Sequence, residues 1–179
     1  MAAGAAVIAE KGFEAATMTE IAARAQASIG SLYQFFPTKE LLADAVHDAQ
    51  LEALTGMLDA LREQAPDRTT AELAEALFDR LPLFLDAHPA FLILADRRQL
   101  DRERKRVTRA LLQERIAALL TQASPPLPPG RARILATVIL HLMKAAMVLQ
   151  GTEDEPLRSA ALSELRAMLK VRLAATGNG

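Results

Sequence analysis

The sequence predicts an all-α protein from three features. It has 179 residues, 51% of them apolar, and its dominant residues, Ala, Leu, Arg and Glu, favour helix. The 8 glycines and 9 prolines fall in a handful of places, and no run of β-branched residues exceeds three residues. Between these breaks, apolar residues recur at helical spacing. We therefore expect about nine helices, of which the first three are short and the rest are longer.

The three short helices are predicted within residues 1–36. The first ends at Gly12, a residue suited to a helix C-terminus. Thr17 and Glu20 have the spacing of a capping box, which opens the second helix. Ser28 is placed to cap the third helix, which Pro37 stops.

Short helices bury little surface individually, so these three are expected to share one core. The apolar residues predicted to form it are Val7, Ile8, Phe13, Met18, Ile21, Ala25, Leu32 and Phe36. The result is a small three-helix module, for which we predict a domain of residues 1–45, with residues 46–179 forming a larger helical domain.

In the larger part, Thr38 is predicted to cap a long helix, and Thr69 with Glu72 repeats the capping-box spacing. The segment "SPPLPPG" at 124–130 is predicted to be a linker. The predicted helices cover about 38–64, 69–85, 88–99, 101–120, 131–151 and 156–174.

The second and third helices together predict a helix-turn-helix, in which the third helix can enter the DNA major groove. Ser31 and Gln34 can form hydrogen bonds with base edges, and Ile29 can contact a thymine methyl group. The hydroxyl of Tyr33 can reach a phosphate. Gly30 removes a side chain where DNA would approach.

The stretch "AEKGFEAATMTEIAARAQASIGSLYQFFPTKELL" resembles the DNA-binding domain of the TetR (tetracycline repressor) family of bacterial transcription regulators. Over about residues 2–47, the residues at the family's spacing are Gly12, Phe13, Thr17, Ile21, Ala22, Gly30, Leu32, Tyr33, Phe36, Lys39 and Glu40. The resemblance implies a homodimer that binds a palindromic operator on double-stranded DNA. It also implies a helical C-terminal domain that binds a small molecule and then releases the DNA.

By position, the resemblance implies two sets of DNA contacts. The phosphate contacts would be Thr17, Thr19, Tyr33 and Lys39. The groove-facing residues would be Ser28, Ile29, Gly30, Ser31, Gln34 and Phe35. Residues 1–47 hold three basic residues and five acids, a formal charge of −2 (3 − 5). Since DNA-binding domains of this family begin with a basic arm, we expect a further N-terminal segment ahead of Met1.

The larger domain is expected to dimerise and to bind a hydrophobic effector. The interface candidates, for which an ordinary intramolecular core is the alternative, are Leu135, Val138, Leu142, Leu165 and Leu169. The effector candidates are Met57, Leu61, Phe78, Leu81, Phe84, Phe91, Leu94, His141 and Met147. Additional polar contacts could come from His88 and from Arg97 or Arg98.

The sequence contains few motifs that would indicate a catalytic or metal-binding function. Without cysteine there are no thiolate metal sites or cysteine nucleophiles. The three histidines are far apart, and no metalloprotease, P-loop or nucleophile-elbow motif occurs, so we expect neither an enzyme nor a cofactor. Asp44 and His47 share a helical face, which we interpret as surface.

No apolar run is long enough to span a membrane, and a soluble cytoplasmic protein is expected. The basic stretch 96–109 is interpreted as a solvated helix face with ion pairs, although a second nucleic-acid patch or a membrane contact is an alternative. For the whole chain, the alternative to a DNA-binding regulator is a helical protein-interaction module.

Overall fold

The computed structural model describes residues 1–97, 102–151 and 154–174, with only the backbone described at 147, 150, 151 and 172–174. Within this part of the chain there are nine α-helices, one short 3-10 turn (Ala65–Asp67) and no strand. The helices are α1 Ala2–Ala15, α2 Met18–Arg24, α3 Ile29–Phe35, α4 Lys39–Glu63, α5 Thr70–Ala87, α6 Ala90–Ala95, α7 Arg102–Thr121, α8 Pro129–Gly151 and α9 Glu155–Ala174. The all-α prediction is confirmed.

Local side-chain caps set the starts of several helices. Before α5, the backbone N–H of Thr69 donates to Glu72 Oε2 at 2.7 Å, and the backbone N–H of Glu72 donates to Thr69 Oγ1 at 3.2 Å. Before α4, the backbone N–H of Leu41 donates to Thr38 Oγ1 at 3.2 Å. Each cap satisfies amide groups that the first helical turn leaves unpaired, so these helices begin where the sequence predicts.

The first helix is interrupted at Gly12, where φ is 79° and ψ is 164°. Side chains are excluded from this backbone region, so only glycine adopts it readily. The predicted end at Gly12 is therefore a break in the helix, after which helical turns continue to Ala15.

Two compact units are present within the described residues, and the first combines Met1–Leu54 with Phe84–Lys105. In it, α6 packs on α1, and Leu32 of α3 and Phe36, the residue that follows α3, pack against a buried apolar cluster. That cluster consists of Val7, Ile8, Phe13, Ala16, Met18, Ile21, Leu42, Ala43, Val46, Ala90 and Leu94.

The prediction that Ala25 belongs to this core is wrong. Ala25 is exposed because α2 ends at Arg24, and Ala25 is the residue that closes its last turn. The backbone turns away immediately afterwards, at Gln26, where φ is 54°. Ala25 keeps the helical spacing from Ile21, since its backbone N–H donates to the carbonyl of Ile21 at 2.9 Å, but it lies at the end of α2, outside the core cluster to which Ile21 belongs.

The second unit combines Thr55–Leu83 with Arg106–Gly179. In it, α9 is attached to α5 by polar contacts: Arg166 donates to Asp79 Oδ1 at 2.7 Å and to the backbone carbonyl of Phe78 at 3.1 Å. A further ion pair joins Lys170 to Glu75 at 2.8 Å. The domain boundary predicted after residue 45 lies inside α4 and stays a prediction.

None of the described helices combines the length and the hydropathy needed to span a membrane.

Candidate nucleic-acid interface

The second helix begins with a complete capping box. The hydroxyl of Thr17 accepts a hydrogen bond from the backbone N–H of Glu20 at 3.3 Å and donates to Glu20 Oε2 at 2.9 Å. Lys11 also binds the carboxylate of Glu20. The bond from Lys11, followed by those from Thr17, lowers the pKa of Glu20 below its usual 4.5. The hydroxyl of Thr17 is thus used to fix the start of α2, while Thr19, two residues on, is exposed.

The turn between α2 and α3 is a Schellman motif, which sequence reasoning missed. The backbone N–H of Ala27 donates to the carbonyl of Ala22 at 3.0 Å, and that of Gln26 donates to the carbonyl of Ala23 at 3.1 Å. Gln26 takes the positive φ that usually requires glycine at this position. A glutamine gives no sequence signal for such a turn, so only the structure reveals it.

The third helix, α3, is fixed at its start and packed along one side. The hydroxyl of Ser28 accepts a hydrogen bond from the backbone N–H of Ser31 at 3.1 Å, which confirms the predicted cap. Leu32 and Phe36 attach the helix to the core, yet none of its residues is fully buried. Most of the circumference of α3 is therefore accessible to a binding partner.

Most of the predicted groove-facing residues are exposed to solvent. Gly30 and Gln34 are exposed, and Ser31 is half-buried. An added Cβ at Gly30 would meet no atom within 4 Å, so the fold itself does not require glycine there. The larger side chains are also exposed, Ile29 by 39%, Tyr33 by 48% and Phe35 by 76%.

Lys39 is engaged within the chain rather than extended into solvent. Its ammonium donates to the carbonyls of Phe13 at 2.9 Å and Glu14 at 3.0 Å. It also lies 4.6 Å from the centre of the Phe13 ring, while the guanidinium of Arg97 lies 4.7 Å from the same centre. An ammonium has three N–H donors, and two of them are used to cap the end of α1. The predicted phosphate contact by Lys39 therefore depends on the third.

All three basic residues of residues 1–47 have partners within the chain. Lys11 pairs with Glu20, Arg24 pairs with Glu10, and Lys39 binds the end of α1. Proteins gain much of their affinity for DNA from cations that neutralise phosphates. This surface therefore offers hydroxyl, amide and apolar groups rather than free cations.

A buried polar cluster lies elsewhere in the same compact unit. His47 is 2% exposed and its ring stacks on Phe91, with the ring centres 5.6 Å apart. Arg97 is 8% exposed and binds the carboxylate of Asp44, which also pairs with Arg104 at 3.2 Å. The interpretation of Asp44 and His47 as surface is therefore wrong for His47, which is buried, and the carboxylate of Asp44 is bound by two guanidinium groups. Within the described residues no group of three or more metal-binding side chains is placed to hold a metal ion.

The predicted effector residues are divided between the two compact units. In the first unit, Phe84 and Phe91 are buried and meet edge to face at 5.3 Å, and Leu94 is buried near them in sequence. Phe84 also contacts the ring of His88 at 4.5 Å.

Most of the predicted effector residues of the second unit are buried. Leu61, Phe78 and Leu81 are inside, Met57 is half-buried, and His141 is exposed, with Nδ1 2.7 Å from the carbonyl of Thr137. The side chain of Met147, like the whole of Arg98, lies outside the described residues.

Two of the predicted interface residues are buried within their own chain and fit the alternative of an ordinary intramolecular core, while the interface itself stays a prediction. Leu135 and Leu169 are 3% and 4% exposed, so they have almost no surface to offer a partner. Leu142 and Leu165 are half-buried, and Val138 is 43% exposed. The predicted set therefore mixes residues of the inward face of each helix, such as Leu135 and Leu169, with the exposed Val138.

A different, exposed stripe follows each of the last two helices. On α8 it consists of Ile134, Val138, His141, Ala145 and Val148. On α9 it consists of Leu157, Ala161, Glu164, Met168 and Val171, of which Ala161 is half-buried and the rest exposed. Both sets have alternating spacings of four and three residues, which place them on one helical face. Each stripe has one polar member and is otherwise apolar.

Two protein-family models match the chain. One, described as bacterial regulatory proteins of the tetR family, matches residues 1–46. The other, described as a tetracyclin repressor-like C-terminal domain, matches residues 69–171, which is more than half of the chain. No curated protein matches the chain in sequence.

Solved structures with a similar fold cover nearly the whole chain. A transcriptional regulator of the TerR/AcrR family from Aquifex aeolicus VF5 is 20% identical, with a TM-score of 0.63, and the match covers 98% of this chain and 95% of that one. A putative fatty acid metabolism regulator from Clostridium perfringens is 20% identical, with a TM-score of 0.63 and coverage of 96% and 94%. The transcriptional regulator FadR from Bacillus subtilis, solved in complex with stearoyl-CoA, is 19% identical, with a TM-score of 0.61 and coverage of 94% of each chain.

Proposed function

Because the chain belongs to the TetR family of bacterial regulatory proteins, we propose that it binds a palindromic operator as a homodimer and represses transcription from it. A small hydrophobic molecule then releases the protein from DNA, and the site of action is the cytoplasm. The observation that carries the proposal is the capped, shallowly packed α3, whose exposed side holds Gly30, Gln34 and Tyr33. Members of this family are transcriptional regulators rather than enzymes.

In the proposed complex, α3 enters the major groove and α2 lies across the backbone beside it. Gln34, exposed on the outer side of α3, hydrogen-bonds to base edges, and the hydroxyl of Tyr33 binds a phosphate. Thr19 supplies a second hydroxyl from α2. The hydroxyl of Thr17 caps the start of α2, and the ammonium of Lys39 caps the end of α1. These two residues therefore support the site by holding the neighbouring helices in place.

Dimerisation is supported by the exposed apolar stripes on α8 and α9. Each stripe leaves three large apolar side chains exposed to water, and exposed apolar patches on soluble proteins often mark interaction sites. Two such helices from each of two copies form a four-helix interface around a two-fold axis. The operator of a two-fold symmetric dimer is a palindrome, with half-sites about 34 Å apart, one turn of DNA.

The hydrophobic effector is supported by the buried aromatic pair Phe84 and Phe91 and by the structural relatives. One of them was solved in complex with stearoyl-CoA, and another is a putative fatty acid metabolism regulator. An effector releases DNA when it binds better to a dimer whose recognition helices no longer match the half-site spacing. A thermal-shift screen of fatty acids, acyl-CoA esters and hydrophobic drugs tests this, since a ligand of the folded state raises its apparent stability.

Selection from a pool of random DNA duplexes tests the DNA-binding role. We expect the chain to enrich a palindrome and to bind it less tightly as salt rises. Tyr33→Phe should weaken binding to all sequences, whereas Gln34→Ala should change which sequences are preferred. Lys39→Ala is a poor probe because it also frees the end of α1.

Leu83→Ala provides the matched control, since Leu83 is 68% exposed and lies on α5, outside the DNA-binding module. This variant should bind the enriched duplex as the unchanged chain does. Enrichment of no sequence by a dimeric protein, with candidate effectors removed, would favour the helical protein-interaction module instead.

A further inference from the structure

Four buried polar atoms of the first compact unit have no hydrogen-bond partner among the described residues. They are Nδ1 of His47, Oε1 of Gln50, and Nε and Nη1 of Arg97, on side chains that belong to residues 2%, 6% and 8% exposed. His47 Nδ1 lies 3.8 Å from Asp48 Oδ1, which is too far for a hydrogen bond. Proteins pair nearly all of their buried polar groups, because an unpaired one has lost its bonds to water. A bound group that pairs these atoms would therefore stabilise the folded protein.

Arg97 has the most unused hydrogen-bonding capacity of the three side chains. It is the only arginine or lysine that is buried in the described part of the chain. Its Nη2 binds the carboxylate of Asp44, which is shared with Arg104 at 3.2 Å, whereas the three N–H donors on Nε and Nη1 are unpaired. A guanidinium binds an anionic oxygen more strongly than a neutral one. The unpaired donors therefore favour an anionic group.

The nearby charges favour an anion with a single negative charge. Arg104 pairs with Asp48 as well as with Asp44, so the two arginines of the cluster are already matched by two carboxylates. A carboxylate adds one negative charge to this balanced set, whereas a phosphate group would add up to two. Burial makes each uncompensated charge costly, so the carboxylate fits better.

Aromatic rings adjoin the same polar groups. The ring of His47 stacks on that of Phe91 with the centres 5.6 Å apart, and Phe91 meets Phe84 edge to face at 5.3 Å. His47 lies three residues after Asp44 on α4, so the aromatic stack adjoins the carboxylate that Arg97 binds. Binding sites for small molecules commonly combine an apolar lining with a few polar groups that fix the orientation of the ligand. The combination fits an amphipathic ligand better than a wholly apolar one.

Arg97 also contacts the core of the module that carries α3. Its guanidinium lies 4.7 Å from the centre of the Phe13 ring, and Phe13 belongs to the apolar cluster against which Leu32 packs. Lys39, whose ammonium caps the end of α1, lies 4.6 Å from the centre of the same ring. A ligand that binds Arg97 therefore acts on a residue in direct contact with the DNA-binding module.

We propose that the effector is an amphipathic organic acid whose carboxylate binds Arg97 and whose apolar part lies against Phe84 and Phe91. This inference rests on the proposed release from DNA by a small hydrophobic molecule, and it names the chemical class of that molecule. Gln50 Oε1 and Nδ1 of a neutral His47 are acceptors for a hydroxyl or N–H group elsewhere on the same ligand.

Calorimetric titration of the full chain with matched pairs of ligands tests the choice of an acid. The pairs are decanoate with decanol, and naphthoate with naphthylmethanol, at constant ionic strength. The two members of a pair share their apolar part, so its burial cancels in the ratio of their affinities. We expect the acid to bind about tenfold more tightly than its alcohol in at least one pair, because hydrogen bonds between charged groups are stronger than those to a neutral acceptor.

Two substitutions should change this preference for the acid in opposite directions. Arg97→Met should abolish it, so that acid and alcohol bind alike. Asp44→Asn should increase it several-fold, because the guanidinium of Arg97 then no longer has a negative charge beside it. Asparagine keeps the size of the half-buried Asp44, so this variant tests the proposal even if the loss of Arg97 prevents folding. A change that only disturbed the fold would weaken the binding of acid and alcohol together.

Asp59→Asn is the matched control. Asp59 also pairs with two arginines, Arg115 at 2.7 Å and Arg62 at 3.7 Å, but it lies in the second compact unit. This variant should prefer the acid to the same degree as the unchanged chain.

The acids are then added to the complex of the chain with the duplex enriched from the random pool, which they should dissociate. If no acid binds better than its alcohol, or if the preference persists in Arg97→Met or fails to rise in Asp44→Asn, the acid site is wrong and operator binding stands. If the acids bind through Arg97 but the duplex stays bound, the acid site stands and release from DNA by this ligand fails. If the selection enriches no duplex, operator binding fails, while the titrations still decide whether the acid site exists.

Discussion

His47 is a buried histidine that the fold keeps from taking up a proton. It stacks on Phe91, and burial lowers its pKa below the usual 6.5. Arg104 and Arg97 lower it further, whereas Asp48 acts in the opposite direction. Since the unfolded chain binds the proton near pH 6.5 and the folded chain only at lower pH, acidification favours unfolding. The stabilisation is complete above about pH 6.5 and is lost as pH falls toward the pKa of the folded state.

We therefore expect the free energy of unfolding to fall between pH 7.5 and pH 5.5, measured by urea denaturation at constant ionic strength. The variant His47→Gln has no group that titrates in this range and should show a shallower dependence on pH. Equal slopes for the two proteins would mean that His47 is not the group responsible. A lower stability of the variant at all pH values would not contradict the prediction, because only the pH dependence of the free energy of unfolding is compared.

Replacing Gly30 by alanine should raise the stability of the protein and weaken its binding to DNA. A Cβ at this position would meet no atom within 4 Å, and its φ is not positive, so alanine fits the helix. Alanine at a helical position is more stable than glycine by about 0.5–1 kcal/mol, because it restricts the unfolded chain. We expect Gly30→Ala to raise the unfolding midpoint in urea while weakening operator binding several-fold, since the added methyl group stands where DNA approaches.

Gly56→Ala is the matched control for this change. Gly56 lies inside α4, is exposed, and likewise has nothing within 4 Å of an added Cβ. It should gain similar stability with no change in DNA binding. Gly12→Ala, by contrast, should be destabilising, because φ is 79° there. Unchanged operator affinity in Gly30→Ala would mean that the backbone of α3 does not approach DNA closely.

At the scale of helices, the starts were predictable and one important turn was not. Thr17, Thr38 and Thr69 cap helices as their spacing predicts, because a cap depends on residues three apart in sequence. The turn after α2 depends instead on Gln26 adopting a conformation that its side chain disfavours. Ala25 was misplaced for a different reason: it keeps the helical spacing, but it lies at the end of α2, outside the core cluster.

Gln26→Gly should stabilise the helix-turn-helix. A residue other than glycine in the left-handed region costs about 1 kcal/mol, and Gln26 has φ of 54° in this Schellman turn. We expect the free energy of unfolding to rise by roughly that amount, with the circular dichroism spectrum of the folded protein unchanged. Ala23→Gly, inside α2, should lower it by about 1 kcal/mol, which shows that the effect belongs to the position and not to glycine. A loss of stability in both variants would contradict the strain at Gln26.

At the scale of the whole molecule, the family and fold could be predicted, but the surfaces of the last two helices could not. Helix α8 is apolar on most sides, so its sequence fits burial of either face. The structure buries Leu135 and leaves Ile134 and Val138 exposed. That choice depends on the helices packed against α8, which a pattern along one helix does not contain. The spacing of Leu157, Met168 and Val171 places them on one apolar stripe, but the sequence does not tell whether that stripe is buried. Their exposure in the structure shows that it faces water.

The exposed stripes make a sharp prediction about assembly. Val138 is 43% exposed on α8 and Met168 is 58% exposed on α9, each in the middle part of its stripe. In a two-fold dimer each substitution occurs twice, so Val138→Glu or Met168→Glu would bury at least two carboxylates with no partner. We expect either variant to sediment as a monomer with little loss of secondary structure, because in a single chain both positions face water.

Operator affinity should fall with the dimer. One chain reads only one half-site, and losing the linked second contact should weaken binding by at least about a hundredfold. Leu83→Glu, which places the same charge on α5 at a residue 68% exposed, should leave both the mass and the affinity unchanged. If Val138→Glu and Met168→Glu both remained dimeric, the copies would have to meet on another surface. The spacing of their recognition helices would then have to be derived from that surface, since the separation of the half-sites follows from the position of the two-fold axis.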